Sequence, residues 1–240
     1  MTSQTLAVRG SRFFSVSALL IAALIILSFP LSYFIPLATG SKSFNLLHHL
    51  HGLAFFAWVG LYVVQTRLVR SGHVRLHREL GLGGVALAGA MVPLGLWMAV
   101  SAAASRQAMG IARPFEFSLY NLVDIMVFSM AFGWAIYEAS RRIEWHRRLM
   151  FVALLNLFGP AFSRWMLKLP LRFPWADMSP NLIADAMLIA LALHDRRRLG
   201  HIHAVTIGAA LVLIPFHAVE PLMARSTVWN NLAPSLFGFG

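Results

Sequence analysis

The chain has no cysteine. Disulfides, thiolate metal sites and cysteine nucleophiles are therefore excluded, and cysteine usage says nothing about compartment. Acidic residues are scarce, 9 Asp and Glu against 20 Lys and Arg, and charged residues of both signs make up only 12% of the 240 positions. Soluble domains average about 25%, so this composition points to a polytopic membrane protein. Lysine occurs only as Lys42 and Lys168, both in loops, which leaves no Schiff-base lysine for a retinal in the last span. No basic domain stands apart from the apolar segments, so the net charge of +11 does not indicate nucleic acid. Arginines in short loops fix orientation and meet anionic lipid headgroups.

What the sequence does have is apolar runs. The chain is 58% hydrophobic, and runs of about 20 apolar residues mark transmembrane helices. Seven can be read, over 13–38, 44–66, 80–104, 116–138, 148–167, 179–194 and 202–224, the sixth being the shortest. The expected fold is all-α: one transmembrane domain over 1–240, a bundle of seven helices. Most basic residues fall on one side of this alternation: Arg9 and Arg12; Arg67, Arg70, Arg75 and Arg78; Arg141, Arg142, Arg147 and Arg148; Arg196, Arg197 and Arg198. Lys42, Arg106, Arg113, Arg164, Lys168, Arg172 and Arg225 fall on the other. The positive-inside rule then places the N-terminus inside and the C-terminus outside, in a bacterial inner membrane crossed many times. The first span reads as an uncleaved anchor: its apolar run is too long for a signal peptide, and Pro36 to Gly40 makes a poor cleavage site. The tail from Ser226, with Trp229, Asn230, Asn231 and Pro234, reads as interfacial on the outer face. Gly81, Gly83, Gly84, Gly89 and Gly95 in the third span read as close-packing positions.

Against this apolar background His48, His49, His51, Asp124, Asp185 and His217 stand out. An ionisable side chain at the centre of a transmembrane helix costs roughly 2.5–3.5 kcal/mol on insertion scales. At 1.5 Å per residue, His48 and His51 lie about 6–10 Å from the outer end of their span, Asp124 and His217 about 10 Å and Asp185 about 8 Å. Four helices thus offer His and Asp at one level. Each has a polar neighbour on its own helix face: His48 with His51, Asn121 with Asp124, Asn181 with Asp185, and His217 with Glu220. Neutral imidazole and carboxylate suit Zn, Fe or Cu, which makes His48, His51, Asp124, Asp185 and His217 candidate metal ligands. Two histidines on facing helices could hold a haem b iron axially, and His51 and His217 lead for that role. Asn156 and Arg164 of the fifth span stand where they could join, Arg164 could equally snorkel outward, and Pro160 could kink the helix and free a carbonyl. The plainer alternative is a hydrogen-bonded network that holds helices together, about 0.6 kcal/mol per contact.

Two loop-to-helix junctions echo each other: Val74-Arg-Leu-His-Arg-Glu-Leu-Gly81 and Ile143-Glu-Trp-His-Arg-Arg-Leu-Met150. They suggest a repeated helical hairpin. Basic residues at a helix N-terminus oppose the macrodipole. Lipid phosphate would offset that; so would an anionic ligand group, such as a haem propionate, held by the Arg beside a ligating His77 or His146. Together with His194, His201 and His203 these histidines lie at helix ends, where interfacial polar residues are ordinary.

The run His51-Gly-Leu-Ala-Phe-Phe-Ala-Trp58, then Gln65, Gly72, His77-Arg-Glu-Leu-Gly81 and Trp145-His-Arg-Arg-Leu-Met150, resembles a family of uncharacterised bacterial multispanning membrane proteins over roughly residues 45–165. A looser resemblance is to transmembrane b-type cytochromes. It implies haem b between paired histidines and a redox partner or membrane complex, although the histidines here do not form two pairs on four consecutive helices. In topology the chain is also similar to seven-helix zinc hydrolases of the ceramidase and adiponectin-receptor type. Those carry His-x-x-x-His on the last helix, where this chain has His217-Ala-Val-Glu220. Membrane desaturases need several histidine boxes, and only His48-His49-Leu-His51 comes near one. The expected function is therefore an oxidoreductase-type membrane protein binding haem or a transition metal at an intramembrane His/Asp site. The alternatives are a metal-dependent intramembrane hydrolase, with Asp124 or Asp185 handling the proton of a metal-bound water, a proton-coupled small transporter, and a structural or assembly subunit.

Overall fold

The computed structural model describes residues 11–166, 169–170 and 172–239. Arg9 and Lys168, used above to argue orientation, lie outside the described residues. The elements in chain order are α1 Arg12–Ala38, α2 Leu46–Arg70, α3 Val74–Ala108, α4 Glu116–Glu138, α5 Ile143–Asn156, α6 Phe158–Met166, α7 Trp175–Leu199, α8 Ala204–Arg225 and α9 Thr227–Leu236. Among the described residues there is no strand. Six of these helices, α1 to α4, α7 and α8, are long and apolar enough to cross a membrane. The chain is an all-helical, multi-pass membrane protein.

The fifth expected span, 148–167, differs from that expectation. It is two helices, α5 and α6, that part at Leu157. Pro160 weakens the helix there. It has no N–H for the carbonyl of Asn156 four residues back, and its ring crowds that carbonyl, so the backbone is prone to kink or part at this point. In the first turn of a new helix the missing N–H is harmless. The sixth span, expected to be the shortest, is the 25-residue α7. Its last turn carries Asp195 and three arginines beyond the apolar run, and it closes at Gly200, whose φ of 79° favours glycine. α3 likewise starts at Val74, ahead of the expected 80, because the polar stretch around His77 is already helical.

The chain divides into two compact units, 1–94 and 95–240, with the boundary inside α3 beside Pro93. In the first unit, α1 packs on α2 through Phe29, whose ring meets Phe56 at 4.3 Å and Phe55 at 6.3 Å. Asn45 caps α2 by accepting from the His48 N–H. Gly72, at φ 82°, turns the chain into α3. A Cβ on Gly84 would come 3.1 Å from Leu61. Of the five glycines expected to pack closely, Gly84 and Gly95 do so; Gly83 and Gly89 face open space.

In the second unit α5 is buried from Arg148 to Asn156 apart from half-buried Met150, with Phe151 and Ala153 at 0% exposure. A segment buried on every side belongs at a bundle centre. α4 and α8 pack on α5, and α7 packs on α5, α6 and α8. α9 seats Trp229 and Ala233 against Phe115, Leu119 and Ala224, and the Trp229 indole donates to the Phe115 carbonyl at 3.0 Å.

Candidate functional site

The break between α5 and α6 opens a small cavity in the second unit. Asp124 of α4, Asn156 and Gly159 of the break, Asn181 and Leu188 of α7 and His217 of α8 line it. Its volume is about 10 Å³, room for one water-sized occupant. A Cβ on Gly159 would stand 3.7 Å from Asp124 Oδ2 and 3.9 Å from Asn181 Oδ1, so the backbone at the break comes within contact of both. Two prolines add acceptors. Pro160 and Pro221 have no N–H to give the carbonyls of Asn156 and His217, and both of those residues line the cavity.

The polar side chains pair across helices. His217 Nδ1 and Asp185 Oδ1 are 2.7 Å apart, both buried. A carboxylate on Nδ1 favours the neutral tautomer protonated at that nitrogen, which leaves Nε2 as the acceptor. Asn181 donates to Glu220 Oε2 at 2.8 Å. Asn156 donates back to its own helix at Val152. Asp124, half-buried, has no hydrogen-bond partner among the described residues. Asn181 and Asp185, which share a face of α7, thus bond across to Glu220 and His217, which share a face of α8.

An ion network lies at each end of this seam. At one end Arg225 donates from Nε to Glu116 at 2.5 Å and from Nη2 to Asp177 at 3.0 Å, with its guanidinium 3.8 Å over the Phe173 ring. At the other, Arg148 donates from Nη2 to Asp195 Oδ1 at 2.5 Å and from Nη1 to the Glu144 carbonyl at 2.9 Å. Asp195 also accepts from the Thr206 hydroxyl at 2.5 Å and the His203 N–H at 3.3 Å. His203 caps α8, its Nδ1 accepting from Val205 N–H. Burial, and then the positive charge of Arg148, push its imidazole below the ordinary histidine value. His146, lowered by burial, donates from Nδ1 to the Ala135 carbonyl at 2.8 Å.

The structure brings together Asp124, Asp185 and His217, three of the five candidate metal ligands, in the second unit. His48 and His51 belong to the first unit. His48 lies in the first turn of α2, its ring on the cap residue Asn45 at 2.6 Å, so it sits nearer the helix end than expected. His51 stacks on Phe55, and His49 meets the Tyr33 hydroxyl. Of the two histidines suggested for a propionate-bearing cofactor, His77 pairs with Gln65 at 2.6 Å in the first unit, and His146 is in the second. Arg148, grouped above with headgroup-facing arginines, is instead fully buried against Asp195. Among the described residues no group of three His, Asp or Glu is placed to hold a metal ion, and the cavity has no room for a haem between its present walls.

The sequence reading caught Asn181 with Asp185 but missed the two full rows, which add Glu116, Tyr120 and Asp177. Glu116, Tyr120 and Asp124 recur every four residues on α4, as do Asp177, Asn181 and Asp185 on α7. That spacing, one face of each helix, is visible in the sequence. Comparison with protein-family models, with curated proteins and with solved structures returns no match for this chain.

Proposed function

We propose that the second unit carries an intramembrane proton-binding site, and that the protein is a small proton-coupled carrier. The observation that carries this reading is the helix break beside the cavity. Irregular backbone at membrane depth is tolerated where it lines a polar cavity, and discontinuous helices mark the binding sites of many transporters. Here the break faces Asp124, Asn181 and the His217–Asp185 pair. A carboxylate with no hydrogen bond, beside a cavity of water size, is suited to taking up and releasing a proton. Glu220, held by Asn181, is a second carboxylate on the same seam.

In this reading α5 and α6 together make the broken crossing, which gives seven crossings with the N-terminus inside, in a bacterial inner membrane. The test uses sealed vesicles with an imposed pH gradient. Wild-type protein is expected to dissipate the gradient when a transported solute from a panel of small solutes is added, and Asp124→Asn to abolish the response. Unchanged proton movement in Asp124→Asn would overturn the site.

One observation favours a second reading. The Asp185 carboxylate on Nδ1 of His217 is the arrangement that orients a metal-ligating imidazole, with Nε2 left for the ion. A Zn, Fe or Cu ion would then be held by His217 with Asp124 from the facing helix, for hydrolytic or redox chemistry. Metal analysis and an absorption spectrum of purified protein separate the two. Stoichiometric metal or a haem band, lost in His217→Ala, would favour the second.

A further inference from the structure

We infer that the seam between α4, α7 and α8 is a one-sided access route to the cavity, entered past Arg225 between Glu116 and Asp177 and closed beyond the cavity by Leu155, Leu188 and Leu213. The inference rests on the proton-binding reading and gives that site a direction.

The register of the three helices supplies the first support. Glu116, Tyr120 and Asp124 step down α4, and Asp177, Asn181 and Asp185 step down α7. Steps of four residues are about 6 Å apart. α8 meets each level in turn: Arg225 at Glu116 and Asp177, Glu220 at Asn181, His217 at Asp185. Polar groups thus run without a gap from the helix ends to the cavity.

Tyr120 supplies the second. Its hydroxyl is buried and has no hydrogen-bond partner among the described residues. It lies within the electrostatic reach of Asp177, Glu220, Glu116 and Arg225. An unpaired buried hydroxyl is costly, and a water or hydronium passing along the seam would relieve that cost. The step is a simple transfer: a hydronium gives its proton to a carboxylate and leaves water, and no other bond changes.

The wall on the far side supplies the third. Leu155, Leu188 and Leu213 are 3%, 1% and 5% exposed, and Leu191 on the next turn of α7 is fully buried. The next acid, Asp195, is about 15 Å from Asp185 along the helix. It already holds Arg148, Thr206 and the His203 N–H. From Ala186 to Leu193, before His194 beside that acid, α7 carries only Ala, Met, Leu and Ile side chains.

The absence of native cysteine makes the test direct. Single replacements Ala184→Cys, at the cavity wall, and Leu191→Cys, beyond the leucines, are made in the full chain. Silver ions, small enough for a narrow path, are added in nitrate buffer to sealed vesicles of either orientation. Thiols left unreacted are counted with a maleimide after denaturation. Ala184→Cys is expected to react from the Arg225 face about tenfold faster than from the Arg148 face, a difference of ~1.4 kcal/mol in barrier. Leu191→Cys is expected to react slowly from both. Asn181→Cys serves if Ala184→Cys does not fold. Equal rates from both faces, a faster rate from the Arg148 face, or no reaction at either cavity position would overturn the route. One-sided access with intact proton exchange in Asp124→Asn would remove the proton site and keep the route. Two-sided access with lost exchange would do the reverse.

Discussion

Arg148 of α5 and Asp195 of α7 form an ion pair in which both side chains are 0% exposed. The pair is bonded on both sides: the Thr206 hydroxyl and the His203 N–H donate to the carboxylate, and the guanidinium donates to the Glu144 carbonyl. It therefore ties α5, α7 and α8 together at one end of the second unit. Removing one partner of a buried pair leaves an uncompensated charge, typically about 3–5 kcal/mol destabilising. Arg148→Met and Asp195→Leu are each expected to lower the thermal midpoint of the detergent-solubilised protein strongly. The double substitution is expected to recover a large part of the loss, since the orphaned charge is gone. Equal, additive losses in the double variant would show that the pair does not act as a unit.

Gly159 offers a separation of stability from function. An alanine Cβ there would meet Asp124 and Asn181 at 3.7 and 3.9 Å, ordinary contact distances. Glycine within a helix is disfavoured by roughly 0.5–1 kcal/mol relative to alanine. Gly159→Ala is therefore expected to unfold at the same or a slightly higher temperature. The same methyl fills space beside Asp124 in a cavity of about 10 Å³, so proton exchange in vesicles is expected to slow. A variant with unchanged exchange would place the working group away from this cavity.

In the first unit, Gln65 and His77 join α2 to the start of α3 through a 2.6 Å contact. Gln65→Leu removes that partner from a half-buried imidazole. A hydrogen bond of this kind contributes about 1 kcal/mol net, and the midpoint is expected to fall by a correspondingly small step. His77→Ala should cost a similar amount, and the double variant little more than either single one. Strictly additive losses would mean that the two side chains stabilise the unit separately.

Much of this was legible in the sequence, and the failures have specific causes. Hydropathy locates α1, α2, α4 and α8 well because lipid contact demands apolar residues over the whole length. It does not see backbone, so the break at Leu157 lay inside a continuous apolar run, signalled only by Pro160 as a possible kink. It also drops polar helical ends, which is why α3 and α7 came out short. Asp124, Asp185 and His217 were recognisable because ionisable residues at that depth are expensive. Their partners were not, because pairing between α7 and α8 depends on how each helix is rotated against the next. The Arg148–Asp195 pair left only a faint trace: one acid immediately ahead of Arg196, Arg197 and Arg198.

His203 makes the fold sensitive to acid at a defined place. Its Nδ1 accepts the Val205 N–H and so caps α8, a role that requires an unprotonated nitrogen. Glu144 and Arg148 face it from α5, Asp195 from α7 and His201 from its own loop, and Trp145 lies edge-on to the ring at 5.6 Å. Burial and Arg148 outweigh the nearby carboxylates, and the folded-state value is depressed. The unfolded chain then takes up a proton more readily than the folded one. The contribution of His203 to stability is present above the ordinary histidine value of about 6.5 and is lost as pH falls through the depressed value. Protonation also sets a positive charge against the N-terminal end of the α8 dipole. His203→Asn keeps a good capping side chain without a titrating group. It is expected to match wild type at neutral pH and to show a shallower fall in thermal midpoint as the buffer is taken from pH 7 to below 6. A parallel fall in both proteins would assign the acid sensitivity to other groups.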